Sequence, residues 1–187
     1  MLKKQILLPF TLLAAAGMGI FALTRTTPEK EPTSISTEEP TAVEAAAPGQ
    51  CAYTWAYEDL PEISREFQTK VQAAIPEAEA HASAYGENCN HEDGSFTFIP
   101  METDFYVFIP VGDLADDATL ARLIEQILPI VDGFVPPRVP GPKDGFVEFT
   151  FRKGEEQRIL RVPIPLGKQV REQELHGVEL IQALETP

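Results

Sequence analysis

Residues 6–23, ILLPFTLLAAAGMGIFAL, carry no charge, and the 27 residues that follow them contain only two large aliphatic side chains, Ile35 and Val43. That pairing confines any folded domain to the chain from Cys51 onward. As a helix the apolar run spans about 27 Å, close to the hydrocarbon thickness of a bilayer. Lys3 and Lys4 precede it, so the positive-inside rule leaves the N-terminus cytoplasmic and carries the remainder across. Two readings fit residues 1–23. One is an uncleaved signal-anchor, giving a single-pass protein of the cell membrane; the other is a signal peptide removed near Ala22, giving a secreted one. Residues 24–50, TRTTPEKEPTSISTEEPTAVEAAAPGQ, cannot bury enough apolar surface to offset the entropy of ordering them. They are expected to be a disordered tether with a reach of about 30 Å. Residues 51–187 then form one extracytoplasmic domain.

Charge narrows the partners. Residues 51–132 hold 16 acidic and 3 basic side chains, whereas residues 133–187 hold 8 of each. A surface this acidic repels nucleic acid and anionic lipid headgroups. Contact with membrane is therefore expected through the N-terminal segment alone, and calcium, cationic peptides and basic surfaces remain as partners of the domain.

Period-two and helical patterns alternate along it. CAYTWAYEDL places Cys51, Tyr53, Trp55 and Tyr57 on one side of a strand. Pro61 opens a helix with Leu60, Ile63, Phe67, Val71 and Ala74 on one stripe, ended by Pro76. EAEAHASAYGENC alternates Ala78, Ala80, Ala82 and Ala84 against Glu79, His81, Ser83 and Tyr85. SFTFIPMETDFYVFIPV reads as a long strand interrupted near Pro100, and Asp93-Gly94 signals the hairpin between the two. GDLADDATLARLIEQILPIV predicts a second helix, capped by Asp116 or Asp117 and bent or ended by Pro129. Val135–Gly145, rich in proline, predicts a stiff exposed connection. A hairpin follows, with Val147, Phe149 and Phe151 on one side of its first strand and Leu160, Val162 and Ile164 on one side of its second. One last helix is expected to bury Val170, Leu175, Val178 and Ile181. The order β-α-β-β-α-β-β predicts an α+β two-layer sandwich, a mainly antiparallel sheet with helices on one face. It looks like a ferredoxin-like, split β-α-β plan with an added strand, a plan that names no activity.

GENCNHEDGSFTF, Gly86–Phe98, crowds a cysteine, a histidine, two asparagines and three carboxylates. Zinc would need paired ligands at short spacing, and Cys89-x-His91 is a single fragment. Calcium at Asn88–Asp93 lacks the glycine register and bidentate glutamate of an EF-hand loop. Beyond an export signal, the only two cysteines favour a Cys51–Cys89 bridge, leaving the asparagines as turn residues. Neither a metal site nor a cofactor is assigned. The bridge conflicts with a parallel first strand pair, because such cysteines would sit at opposite ends of strands about 20 Å long. Antiparallel pairing removes the conflict.

Two further constellations remain. Glu102 and Asp104 share a strand face about 6–7 Å apart, a separation suited to paired acid and base roles; the alternative is a solvated strip where the strand leaves the core. Tyr53, Trp55 and Tyr57, with His81 and Tyr85, would form a binding surface if helices cover the alanine sides. Rings of this size more often belong to a core, and the competing expectation buries them with the alanines outward. The resulting functional expectation is an exported, membrane-tethered, non-catalytic domain that binds an unidentified extracytoplasmic ligand or protein. The alternatives are a hydrolase using Glu102 and Asp104 or an unbridged Cys89, and a structural accessory domain of an envelope complex.

Overall fold

The alternating stretch at Ala52–Asp59 forms β1 and pairs antiparallel with β2, Glu79–Asn90. The computed structural model describes residues 51–186; the readings of residues 1–23 and 24–50 lie outside the described residues. Between the two strands runs α1, Pro61–Ala74, with Pro61 in the first turn, Glu62 suiting the helix dipole, and Phe67 and Val71 one turn apart on the buried side. β3, Phe96–Pro110, returns from β2 through a turn in which Gly94 takes φ +82°, the backbone region that glycine enters without steric penalty. α2, Asp117–Val131, begins at an Asp116 cap whose carboxylate accepts from the Thr119 N–H at 3.1 Å. β4, Lys143–Lys153, and β5, Glu156–Pro163, make the C-terminal hairpin, and α3, Ile164–Glu172, and α4, Gly177–Glu185, close the chain.

The strands lie in sequence order, β1-β2-β3-β4-β5. Every neighbouring pair is antiparallel except β3 and β4, which α2 joins as a crossover. The α+β two-layer plan and the predicted element order are both present. Where a split β-α-β arrangement would set β1 parallel to its partner, β1 instead lies beside β2 and antiparallel to it. That geometry brings Cys51 and Cys89 together as a disulfide, with Cα atoms 5.1 Å apart.

One face of the sheet carries the core. Ala80 and Ala82 of β2, Phe105, Val107 and Ile109 of β3, and Val147, Phe149 and Phe151 of β4 are buried against the helices, and Ala84 is buried on the same side of β2. The β2 alanines leave room for the Phe67 ring, which meets Phe105 edge-on at 4.9 Å and Phe134 at 5.6 Å. α1 also completes the edge of β2 beyond the end of β1. Ser64 Oγ donates to the Ala82 carbonyl and accepts the Ala82 N–H, each at 3.0 Å, and Gln68 bonds Ala78 and Ala80 in the same way.

α2 runs two residues past Pro129 and buries Val131, because proline removes only one intrahelical donor and tertiary packing holds the last turn. Three local expectations are corrected. The Val135–Gly145 connection is not wholly exposed. Val139 is buried, and the Pro140 carbonyl accepts from Thr103 Oγ1 at 2.7 Å. The C-terminal segment forms two helices, interrupted where Glu174 and Gly177 take positive φ, and Val178 is 47% exposed rather than buried.

Candidate binding site on the open face of the sheet

Because strand side chains alternate between faces, burying the alanines of β2 turns their neighbours outward. Cross-strand register then assembles rows on the uncovered face. Tyr57 stands opposite Tyr85, which stands opposite Glu102; Asp59 leads through Ser83 to Asp104; His81 leads through Tyr106 and Glu148 to Arg161. Tyr53 and Trp55 lie opposite Cys89 and Glu87. All five residues expected to form a binding surface therefore share this face.

They do so as two groups. Trp55 stacks on Tyr85 with centroids 5.5 Å apart, and Tyr57 leans on the same ring at 5.0 Å. His81 belongs to a second set, stacked on Tyr106 at 4.8 Å and on Phe108 at 5.7 Å. The competing expectation of a ring-filled core is overturned: Tyr53, Trp55 and Tyr57 are 60%, 63% and 63% exposed. The physical reason is α1, which packs on β2 and leaves β1 projecting past the helix layer as an edge strand.

Toward β4 and β5 the face supplies its own cations. The Arg161 guanidinium lies 4.2 Å from the Phe146 ring centroid and bonds Glu148 Oε2 at 2.7 Å, while Arg152 lies 4.3 Å over Phe108. Guanidinium over a ring, steadied by a carboxylate, is a favourable unit. Burial partly opposes the positive charge of Arg161, but the Glu148 hydrogen bond dominates and raises its pKa.

Between the two ring groups lies Asp104. It is fully buried, correcting the solvated-strip reading. A bulge builds its niche. Thr103 pairs with Asp144 and Phe105 with Val147, so Asp104 alone faces Gly145 and Phe146. A Cβ on Gly145 would stand 2.5 Å from Asp104 Oδ1 and 2.3 Å from the Thr103 carbonyl, so glycine is needed for this approach. Oδ1 accepts the Phe146 N–H at 3.2 Å, whereas Oδ2 has no partner among the described residues. Desolvation, reinforced by Glu102 and Glu148 and opposed by the Phe146 N–H and Arg161, pushes the Asp104 carboxyl up to about 6. Burial also raises the Tyr106 phenol, against a lowering by Ser83, and desolvation with nearby Tyr57, Glu102, Glu87 and Asp104 raises Tyr85. Glu102 itself is only partly buried.

The Gly86–Phe98 stretch is spent on its own turn. Cys89 is bridged and offers no thiol to a nucleophilic mechanism. Asp93 accepts from the N–H and hydroxyl of Ser95. The Asn90 amide donates to the Ala52 carbonyl at 2.8 Å and to Thr54 Oγ1 at 3.0 Å, tying β2 to β1. Among the described residues no group of three or more metal-ligating side chains converges, and no helix is long and apolar enough to cross a membrane.

Sequence reasoning missed Tyr106, Phe108, Phe146, Arg152 and Arg161. The signal for two of them was present: once Phe105, Val107 and Ile109 are taken as core, Tyr106 and Phe108 must face away with Asp104. The arginines required knowledge that β4 and β5 extend the same sheet. No family model, curated protein or solved structure matches the chain, so the reading of this face rests on its own residues.

Proposed function

We propose that the chain is an exported, membrane-tethered, non-catalytic binding domain whose contact surface is the open face around Trp55, Tyr57 and Tyr85. The observation that carries the reading is the exposure of Tyr53, Trp55 and Tyr57 at alternate positions of one edge strand. Burying one such ring is worth on the order of 2 kcal/mol, and a contiguous ring patch left in water is characteristic of surfaces that meet a partner. The Cys51–Cys89 bridge supports an oxidising compartment, in keeping with the lysine-headed apolar run at the N-terminus. Hydrolysis is less well supported, because Asp104 is closed off from substrate and water and Cys89 is bridged. A purely structural accessory role gives no reason for three large rings to remain exposed.

The test uses the full-length chain in its own cells, with a photo-crosslinking phenylalanine derivative at Tyr57 or at the exposed helix residue Glu172, and a C-terminal reporter active only outside the cytosol. Adducts formed from position 57 and not from 172, with an active reporter, are the expected result. Equal yields at both positions, or a cytosolic reporter, would overturn the proposal.

A further inference from the structure

The open face is built from one repeated unit on one side and an incomplete version of it on the other. Phe146 and Phe108 each carry a guanidinium of the chain's own, Arg161 and Arg152. Trp55, Tyr57 and Tyr85 sit among Glu87 and Glu102 in the paired register, yet among the described residues no cation lies over them. The amino-acid sequence explains why. The only basic residues between 51 and 132 are Arg65, Lys70 and Arg122, and all three lie on α1 or α2, in the helix layer on the other side of the sheet. Among the described residues the cation nearest this group in register is Lys143, opposite Glu102 at the far side from β1, so the rings of Trp55 and Tyr57 are left open to a cation brought by a binding partner.

The same strand offers a way to deliver one. β1 is the last strand of the sheet, and among the described residues its outer edge is paired with nothing. Edge strands are usually guarded by proline, lysine or a bulge. Ala52–Asp59 has no proline or lysine, and its register with β2 is uninterrupted over eight residues. The charges it does carry, Glu58 and Asp59, would repel an acidic strand and attract a basic one. A strand added here would present every second side chain to the open face at about 6.5–7 Å intervals, the spacing at which Trp55 and Tyr57 themselves succeed one another.

From this charge complementarity we infer that the free edge of β1 accepts an extended, arginine- or lysine-bearing segment of another protein as a sixth strand, its cations resting on Trp55, Tyr57 and Tyr85. The inference rests on the proposed binding role of the face and names its partner's chemistry. Backbone pairing to β1 supplies affinity and the alternate cations supply specificity, as in other strand-addition complexes.

Trp55 is the chain's single tryptophan, so its emission reports directly on the site. Full-length chain is titrated with a peptide of alternating arginine and threonine, with a glutamate-threonine analogue, and with an arginine-threonine analogue N-methylated at every backbone amide, which keeps the charge but cannot donate strand hydrogen bonds. A saturable change in Trp55 emission is expected with the first, weakening as salt rises, with none from the second and at least about tenfold weaker binding of the third. Tyr57→Ala should weaken binding about fivefold or more, and Glu87→Lys should weaken it as well; both positions are on the open face, where substitution leaves the core untouched. No saturable change with the arginine peptide overturns the inference, as does equal binding of the N-methylated analogue, which would make the attraction one of charge alone. A chain found by sedimentation to be a dimer that loses its dimer contact on Trp55→Ala, and takes up no peptide, assigns the edge to a second copy instead. If the crosslinking at Tyr57 succeeds while every peptide fails, only the partner chemistry is wrong; if both fail, the binding role falls with it.

Discussion

Asp104 is the residue whose environment departs furthest from its chemistry in water. Its carboxyl, ordinarily at 3.8, stands at about 6 in the folded domain. Between those two values the unfolded chain has released a proton that the folded chain still holds, so stability falls as pH rises from about 4 to about 6 and is flat above. The shift corresponds to at most about 3 kcal/mol, reduced by whatever screening reaches the niche from its rim. Asp104→Asn removes the titration. Urea unfolding at pH 4.5, 6 and 7.5 should show a variant more stable than the natural chain at pH 7.5, with a flatter profile; an unchanged slope would assign the pH dependence to another group. Glu102 and Asp104 were legible in the sequence as a pair on one strand face. Their unequal fates were not, because only the β4 bulge at Gly145 closes over one and leaves the other partly open.

Among the elements, α1 has a role beyond covering the core. β1 ends opposite Ser83, and the backbone of β2 before that point would have an open edge beneath the helix. Ser64 and Gln68 fill it, each with a side chain that both donates and accepts. Ala82 is buried and its carbonyl also accepts the Leu60 N–H at 3.3 Å, so Ser64→Ala leaves the Ala82 N–H without this partner and should cost about 1–3 kcal/mol. Chemical denaturation would read it, and a change below about 0.5 kcal/mol would mean that water enters and replaces the hydroxyl. The helical period of α1 and its proline start were readable directly, since they depend on residues a few positions apart. The hydrogen bonds of Ser64 were not: they link positions 18 apart, and nothing local marks a helical serine as the closing piece of a strand edge. The C-terminal pair α3 and α4 was merged for a related reason. Its break needs positive φ at Glu174 and Gly177, and glutamate gives no warning of that.

At the scale of the whole molecule, β1 is held differently from the other strands. Like β5 it is paired with one neighbour, but its side chains are largely exposed on both faces and the disulfide anchors its first end. The bridge spans 38 residues, which in the chain-entropy model is worth about 4 kcal/mol. A Cys51→Ser, Cys89→Ser double variant should lose stability on that scale. Hydrogen exchange should show the amides of β1 released before those of β3 and β4; uniform release across the sheet would mean that β1 is locked by the core after all. Composition and short-range order alone determined a great deal here: the acidic half and the neutral half, each strand by its period of two, α1 and α2 by their apolar stripes, and the pairing of the only two cysteines. Those properties belong to neighbours along the chain or to simple counts. That β1 meets water on both faces, which carboxylate is buried, and where the chain's own arginines reach were decided by the sheet order and by α1 stopping short of β1. The reason is that alternation assigns side chains to two faces without saying which one the helices will cover, and only packing between distant segments breaks that symmetry.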